Sequence, residues 1–261
     1  RAVGVDLLVR DRRKVQLTEA GRQFLDDCHA ILAVARQSGE RARAIGHGLA
    51  GRVRVGFTSI ATHALLPPLL RRLEIELPDL EVEALEAVSA VQFDHIRRGE
   101  LDLGFVRPAR LHEDLTWTSV HAEKLVAALP EGHRLAQDAG PLTPAQLGEE
   151  PLIGYSRIQN PYLAERFDAL FVGTGRVTRL VNQVLTGIAL VSEGFGLCVV
   201  PESATRIHMP GITFRDLEAN PDLLRVEFWA VHARGNPNPA VRQVVEVATD
   251  EFASLFGKPS S

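Results

Sequence analysis

Thr58 and Ser59 stand where a short apolar strand gives way to a helical segment, and Ser89 occupies the equivalent junction after the next strand. Hydroxyls and free helix amides at such junctions can hold a carboxylate, although plain N-capping would account for these positions equally well. Arg107 ends a further apolar strand, at the carboxyl edge where open α/β sheets place their ligands. Its guanidinium could grip a carboxylate through two parallel hydrogen bonds; an ion pair that only holds the structure is the competing reading. Arg10, Arg12, Arg13 and Lys14 form a separate cationic cluster near the start of the chain, with the chemistry of phosphate contact. Other chemistry is missing. The 9 histidines are scattered without metal-site spacing and there is no Cys-x-x-Cys, so no zinc or iron centre is expected. Neither a Gly-x-Ser-x-Gly elbow nor a Walker loop is present, and Gly173-x-Gly175 lacks the third glycine of a dinucleotide fingerprint. The chain reads as a binding protein, not an enzyme, with no cofactor.

These residues need elements to place them. After the cationic cluster, Val15 and Leu17 share one face of an alternating run and Lys14 and Gln16 the other, which predicts a half-buried strand and hence a basic β-wing. Thr18 is the N-cap of the helix that follows, with Glu19 in its first turn. Phe24, Cys28, Ile31, Ala35, Ser38, Ala42, Ile45 and Leu49 then recur at 4-3-4-3 spacing, the a/d pattern of a two-helix seam. An amphipathic helix packed on its own domain would show a similar face. Gly46, Gly48 and Gly51 break the helix. Beyond them, strands are predicted at 53–57, 80–86, 101–106, 115–121, 125–129, 152–155, 177–181, 197–200 and 225–231, and helices at 65–77, 91–98, 162–171, 183–193 and 240–256. Near-continuous apolar strands alternating with helices predict parallel sheets in an α/β fold.

A chain of 261 residues exceeds what one hydrophobic core fills, so two or three folding units are expected. The net charge of -4 conceals a division: residues 1–54 carry 11 Lys/Arg against 6 Asp/Glu, and residues 55–261 carry 18 against 27. Positive charge gathers at the wing, while the acidic remainder would repel nucleic acid. Cys28 and Cys198 fall in a helical seam and an apolar strand, and read as free thiols in a reducing cytoplasm. No apolar run reaches membrane-spanning length and no signal peptide is visible, so no membrane partner is expected. The chain starts at Arg1 and the wing comes without the helices that should precede it, so a fragment of a longer protein is expected.

The opening segment resembles the LysR-type transcriptional regulators, whose winged helix-turn-helix ends in Leu-Gly-x-x-Leu-Phe-x-Arg-x-x-Arg-x-Val-x-Leu-Thr-x-Ala-Gly. Val3, Gly4, Leu7, Leu8, Arg10, Arg13, Val15, Leu17, Thr18, Ala20 and Gly21 occupy the matching places, with Val3 for the Leu and Leu8 for the Phe as apolar departures. Further landmarks are Val55-Gly56-Phe57, Leu65-Leu66-Pro67, the run Gly99-Glu100-Leu101-Asp102-Leu103-Gly104-Phe105, and the run from Gly194-Phe195-Gly196 to Pro201. The resemblance implies a bilobal α/β effector domain like a type 2 periplasmic binding protein, with two Rossmann-like lobes and a ligand site between them. Carried onto this chain, it gives a remnant of the winged helix-turn-helix at 1–17, a linker and dimerisation helix at 18–50, lobe I at 51–122 and 216–261, and lobe II at 123–215, with hinges near Glu123 and Arg215.

It also raises Ser89 and Arg107 as effector-site residues and adds the Thr58–Ile60 turn, so Ile60 joins the candidates. From lobe II, Tyr155, Ser156 and Gln183 would face the cleft and Phe195 could line it, core packing being the better reading of Phe195. The implied partners are operator DNA, held at its backbone by Arg10, Arg12, Arg13 and Lys14, a small organic acid, and further copies of the chain in a homodimer or homotetramer. Two rival readings use the same fold: a solute-binding protein, which leaves the wing and seam unexplained, and an enzyme. The expected outcome for Arg107→Ala is weaker carboxylate binding with the fold intact.

Overall fold

The computed structural model describes residues 3–11, 14–110, 113–137 and 140–256. They fall into two compact units, residues 1–47 and 48–261. Arg12 and Arg13 of the cationic cluster, and the side chain of Arg10, lie outside the described residues; Lys14 is exposed.

In the first unit, strands β1 (Leu8–Asp11) and β2 (Lys14–Leu17) pair antiparallel, Leu8 opposite Leu17 and Asp11 opposite Lys14. Helix α1 (Glu19–Gly46) follows, and Thr18 caps it: its Oγ1 accepts from the Gly21 amide at 2.9 Å and donates to the Asp6 carbonyl at 2.8 Å. The cap therefore also ties the helix to the segment before the hairpin. Gly21 is the one buried residue of α1 among those described, and a Cβ there would collide with the Leu7 carbonyl, so the close approach requires glycine. The seam positions Phe24, Ile31 and Ile45 are 40%, 68% and 44% exposed in the single chain. Leu25, Leu32 and Val34 are exposed as well, so the apolar face is broader than the predicted seam. Leu49, predicted to end that seam, lies beyond the helix.

Among the described residues, the second unit is built on nine strands. In chain order it comprises β3 (Ala50–Phe57), α2 (Ser59–Ala64), α3 (Leu66–Glu76), β4 (Asp79–Glu86), α4 (Ser89–Arg97), β5 (Leu103–Val106), β6 (Leu115–Pro130), α5 (Pro144–Gly148), β7 (Pro151–Tyr155), α6 (Pro161–Leu170), β8 (Arg176–Val181), α7 (Val184–Ser192), β9 (Leu197–Pro201), β10 (Ile212–Asp216), α8 (Pro221–Leu224), β11 (Arg225–Ala233) and α9 (Ala240–Phe256). The strands run in the order β4-β3-β5-β11-β6-β9-β7-β8, with β10 paired to β6. One half of the sheet holds β4, β3, β5, β11 and the start of β6. The other holds the end of β6 with β9, β7, β8 and β10.

Pairing is parallel within each half, β3 with β4 and β5, and β7 with β8 and β9. These are the parallel sheets that the sequence predicts, and the strands that pass between the halves are antiparallel to their neighbours: β11 to β5 and β6, and β6 to β9 and β10. The sequence also predicts two strands, 115–121 and 125–129, where the structure has the single 16-residue β6. The polar Glu123 that interrupts the apolar pattern is itself buried, because its charge is paired. The predicted helix 65–77 is α3, preceded by a separate α2, with Pro67 and Pro68 in the first turn of α3 where their missing amides cost nothing. The core of the first half centres on Phe105, stacked on Phe57 at 4.9 Å and edge-on to Phe252 at 5.9 Å.

Candidate functional site

The carboxyl ends of β3, β4 and β5 deliver Thr58, Ser89 and Arg107 to one place, as the crevice rule for open α/β sheets requires. The other half contributes the turn after β7 and the junction between β8 and α7. Between them lies a cavity of about 40 Å³, lined by Thr58, Ile60, Val88, Ser89, Arg107 and Pro108 from the first half and by Gln159, Asn160, Pro161, Tyr162, Leu163, Asn182, Gln183 and Val184 from the second.

Capping does not account for the hydroxyls here. Thr58 occupies the N-cap position of α2 yet makes no side-chain cap bond, and its Oγ1 is buried without a hydrogen-bond partner. Ser89 is the first residue of α4, whose N-cap is Val88, and its Oγ accepts from the Arg107 amide at 3.1 Å. Ser59 Oγ donates to the side-chain oxygen of Gln183 across the cleft at 2.8 Å. Gln183 in turn holds the N-cap position of α7 without capping it.

Arg107 is 4% exposed and largely committed. Its Nη2 lies 3.1 Å from Glu123 Oε1, its Nη1 donates to the Glu227 carbonyl at 3.1 Å, and the guanidinium sits 3.6 Å above the Phe228 ring. Such a planar, weakly hydrated cation suits simultaneous ion pairing and stacking. Its Nε is buried without a partner and stands free for a ligand. Glu123 passes the connection onward, its Oε2 accepting from the Ser203 amide at 2.6 Å. Both readings of Arg107 thus meet in one residue: it lines the cavity and anchors a buried ion pair. The expectation that Arg107→Ala leaves the fold intact does not fit this burial, since the substitution strands Glu123.

The other candidates divide. Ile60 lines the cavity. Tyr155 does not: it is buried, its hydroxyl donates to the Val199 carbonyl at 2.9 Å, and its ring packs edge-on to Phe167. Burial pushes the neighbouring Cys198 thiol up to about 12, with partial compensation from the Tyr155 hydroxyl, so it is no nucleophile at neutral pH. Ser156 stands one step back, its Oγ accepting from the Gln159 amide at 3.3 Å and so shaping the turn that lines the cavity. Phe195 is away from the cavity, 45% exposed beneath the Arg179 guanidinium.

Asn160, not among the residues singled out from the sequence, caps α6 through Oδ1 and donates from Nδ2 to the Asn182 carbonyl at 3.2 Å, joining the two segments that the second half sends to the cleft. An Asn-Pro pair preceding a helix is the signal that could have found it. The cavity offers hydroxyls, carboxamides and one guanidinium edge, a set suited to holding an oxygen-rich ligand. Among the described residues, no group of His, Cys, Asp and Glu could hold a metal ion, and no helix is long and apolar enough to cross a membrane.

Residues 46–253 match the family model described as the LysR substrate binding domain. The probable cat1 operon transcriptional activator of Acinetobacter lwoffii is 33% identical over 209 residues, spanning 78% of this chain and 69% of that protein. The Hca operon transcriptional activator HcaR of Escherichia coli (strain K12) is 31% identical over 257 residues, spanning 97% of this chain and 85% of its own length. Among solved structures, CbnR, a LysR family transcriptional regulator, superposes with a TM-score of 0.85 at 26% identity, covering 95% of this chain and 86% of that one. Full-length CbnR complexed with its target DNA gives 0.80 at 25% identity, covering 96% and 85%.

Proposed function

The chain belongs to the LysR family of transcriptional regulators, and on that premise we propose that its cleft binds, without turning over, a small carboxylate-bearing effector. The observation that carries this reading is the pair of buried polar atoms without partners, Thr58 Oγ1 and Arg107 Nε, on two residues that line one cavity. Buried polar atoms are rarely left without a hydrogen bond, and two on neighbouring cavity residues suit an oxyanion. Isothermal titration calorimetry with a panel of small organic acids tests it. Thr58→Val, which removes the hydroxyl at nearly constant shape, is expected to weaken the best acid about 10-fold or more while thermal stability holds. Unchanged affinity would remove Thr58 from the site.

The effector would act on the relative placement of two lobes, residues 51–122 with 216–261 and residues 123–215, by binding one arrangement better than another. The passage of β6 from one half of the sheet to the other supports hinges near Glu123 and Arg215. Residues 1–17 would contribute a DNA-contacting wing, with Arg10, Arg12, Arg13 and Lys14 on phosphates, which position a regulator without reading sequence. Cytoplasmic action fits the free thiols Cys28 and Cys198.

Residues 18–50 would join copies of the chain into a homodimer or homotetramer. The exposed Phe24, Leu25, Ile31 and Leu32 on α1 support this, since an apolar face of that length is seldom left to water. Ile31→Asp is expected to lower the mass measured by light scattering, and an unchanged mass would refute the seam.

A further inference from the structure

The cavity in the cleft is about 40 Å³, whereas a pocket that accepts benzene is on the order of 150 Å³. An organic acid with even a small carbon skeleton is therefore enclosed only if the two halves of the sheet separate at this point. The contact in the way is the hydrogen bond from Ser59 Oγ to Gln183 Oε1, 2.8 Å long and joining residues 124 apart in sequence. Ser59 is 2% exposed. Neither side chain caps its own helix, for α2 begins from Thr58, and Gln183 makes no cap bond to α7. Further bridges are Arg107 to Glu123 of β6, Glu123 to Ser203, the Glu227 amide of β11 to the Tyr162 hydroxyl, and Arg166 Nη1 of α6 to the Asp222 carbonyl beside β11. Ser59, set between two residues that line the cavity, and Gln183, which lines it, bond directly across this place, so a movement that widens the cavity here would break that contact.

We propose that the Ser59–Gln183 hydrogen bond is a latch between the halves that the effector replaces, so that the pair selects acids carrying a second hydrogen-bonding group. This rests on the reading that Thr58 and Arg107 Nε take the carboxylate. Opening the latch strips a donor from Gln183 and an acceptor from the buried Ser59, and such unmade bonds are costly. A hydroxyl on the ligand supplies both at once, accepting from Ser59 and donating to Gln183. A hydrocarbon acid of the same skeleton supplies neither, and sites built to hydrogen-bond a hydroxyl discriminate strongly against analogues that lack it.

Two measurements on the full chain test the latch. In the first, without ligand, spin labels on cysteines introduced at the exposed Glu74 of α3 and Glu165 of α6 report the distance between the halves by pulsed dipolar spectroscopy. The background is Cys28→Ser, and labelled chains are diluted with unlabelled ones. Ser59→Ala and Gln183→Leu are each expected to lengthen or broaden the distribution; distributions matching the parent overturn the latch.

In the second, calorimetry compares benzoate with 3-hydroxybenzoate and hexanoate with 6-hydroxyhexanoate. The parent is expected to bind the hydroxylated member of at least one pair about 10-fold more tightly, and Ser59→Ala to shrink that preference to about threefold or less. Equal affinities within each pair, or a preference that survives both substitutions, overturn the selection. Should none of the four acids bind, the carboxylate reading fails, and the ligand-free distances still decide the latch.

Discussion

Glu123→Ala is expected to lower the unfolding free energy by about 3–5 kcal/mol, the usual consequence of leaving one partner of a buried ion pair behind. The side chains of Arg107 and Glu123 are 5% and 3% exposed, so water cannot take over the lost contacts. The substitution removes the acceptor for Arg107 Nη2 and for the Ser203 amide together. Glu123→Gln keeps an acceptor in place and leaves only the cation uncompensated, so its loss should be smaller. Urea denaturation at neutral pH measures both, and an unchanged m-value would show that the folded and unfolded states keep their compactness. A loss below about 1 kcal/mol for the alanine variant would place the pair among ordinary surface bridges and contradict its burial.

Acid should destabilise the protein through His121. The imidazole is 1% exposed, stacked on Phe228 at 6.4 Å between centroids, and held down to about 4 from an ordinary 6.5. Burial is the largest cause; Glu123 opposes it, and Arg107 and Arg206 reinforce it. The unfolded chain protonates this group near pH 6.5 while the folded chain resists until about pH 4. Between those values the unfolded state binds more protons, so stability is fully present above the upper value and drains away as pH falls toward the lower. At about 1.4 kcal/mol per pH unit, the loss across the window is about 3 kcal/mol. His121→Phe retains an aromatic ring over Phe228 without the titration, and its stability should be flatter with pH across that window. Parallel pH profiles for the two proteins would show that His121 titrates normally.

Local signals in the chain are strong enough to locate most of these elements. The Thr18 cap and the apolar runs of β3, β7 and β9 all follow from short-range chemistry. Elements that depend on distant partners are harder to see. Glu123 interrupts a hydropathy pattern, and only Arg107, from another strand, explains how β6 continues through it. β10 alternates Ile212 and Phe214 with Thr213 and Arg215 at intermediate burial, a pattern too short and too mixed to stand out. α2 is six residues long, below the span at which helical periodicity can be recognised.

The same division holds in the cleft. Thr58, Ser89 and Arg107 were legible as strand-end residues, and Gln183 as the start of a helix. Tyr155 ends a strand as they do, but alternation along β7 turns its side chain into the core, and one residue of register decides between cleft and interior. Phe195 belongs to a glycine-flanked turn whose direction no local rule fixes. The bond between Ser59 and Gln183 was invisible because nothing short-range links residues on opposite halves of a sheet.

Because β6 donates hydrogen bonds to both halves along one uninterrupted strand, neither half is a detachable module. Cutting the gene between them would hand each fragment a raw edge with half its ladder missing. Evolution can therefore retune what the cleft recognises by exchanging side chains and loops, but it cannot swap one side for a foreign counterpart without rebuilding the strand both sides share.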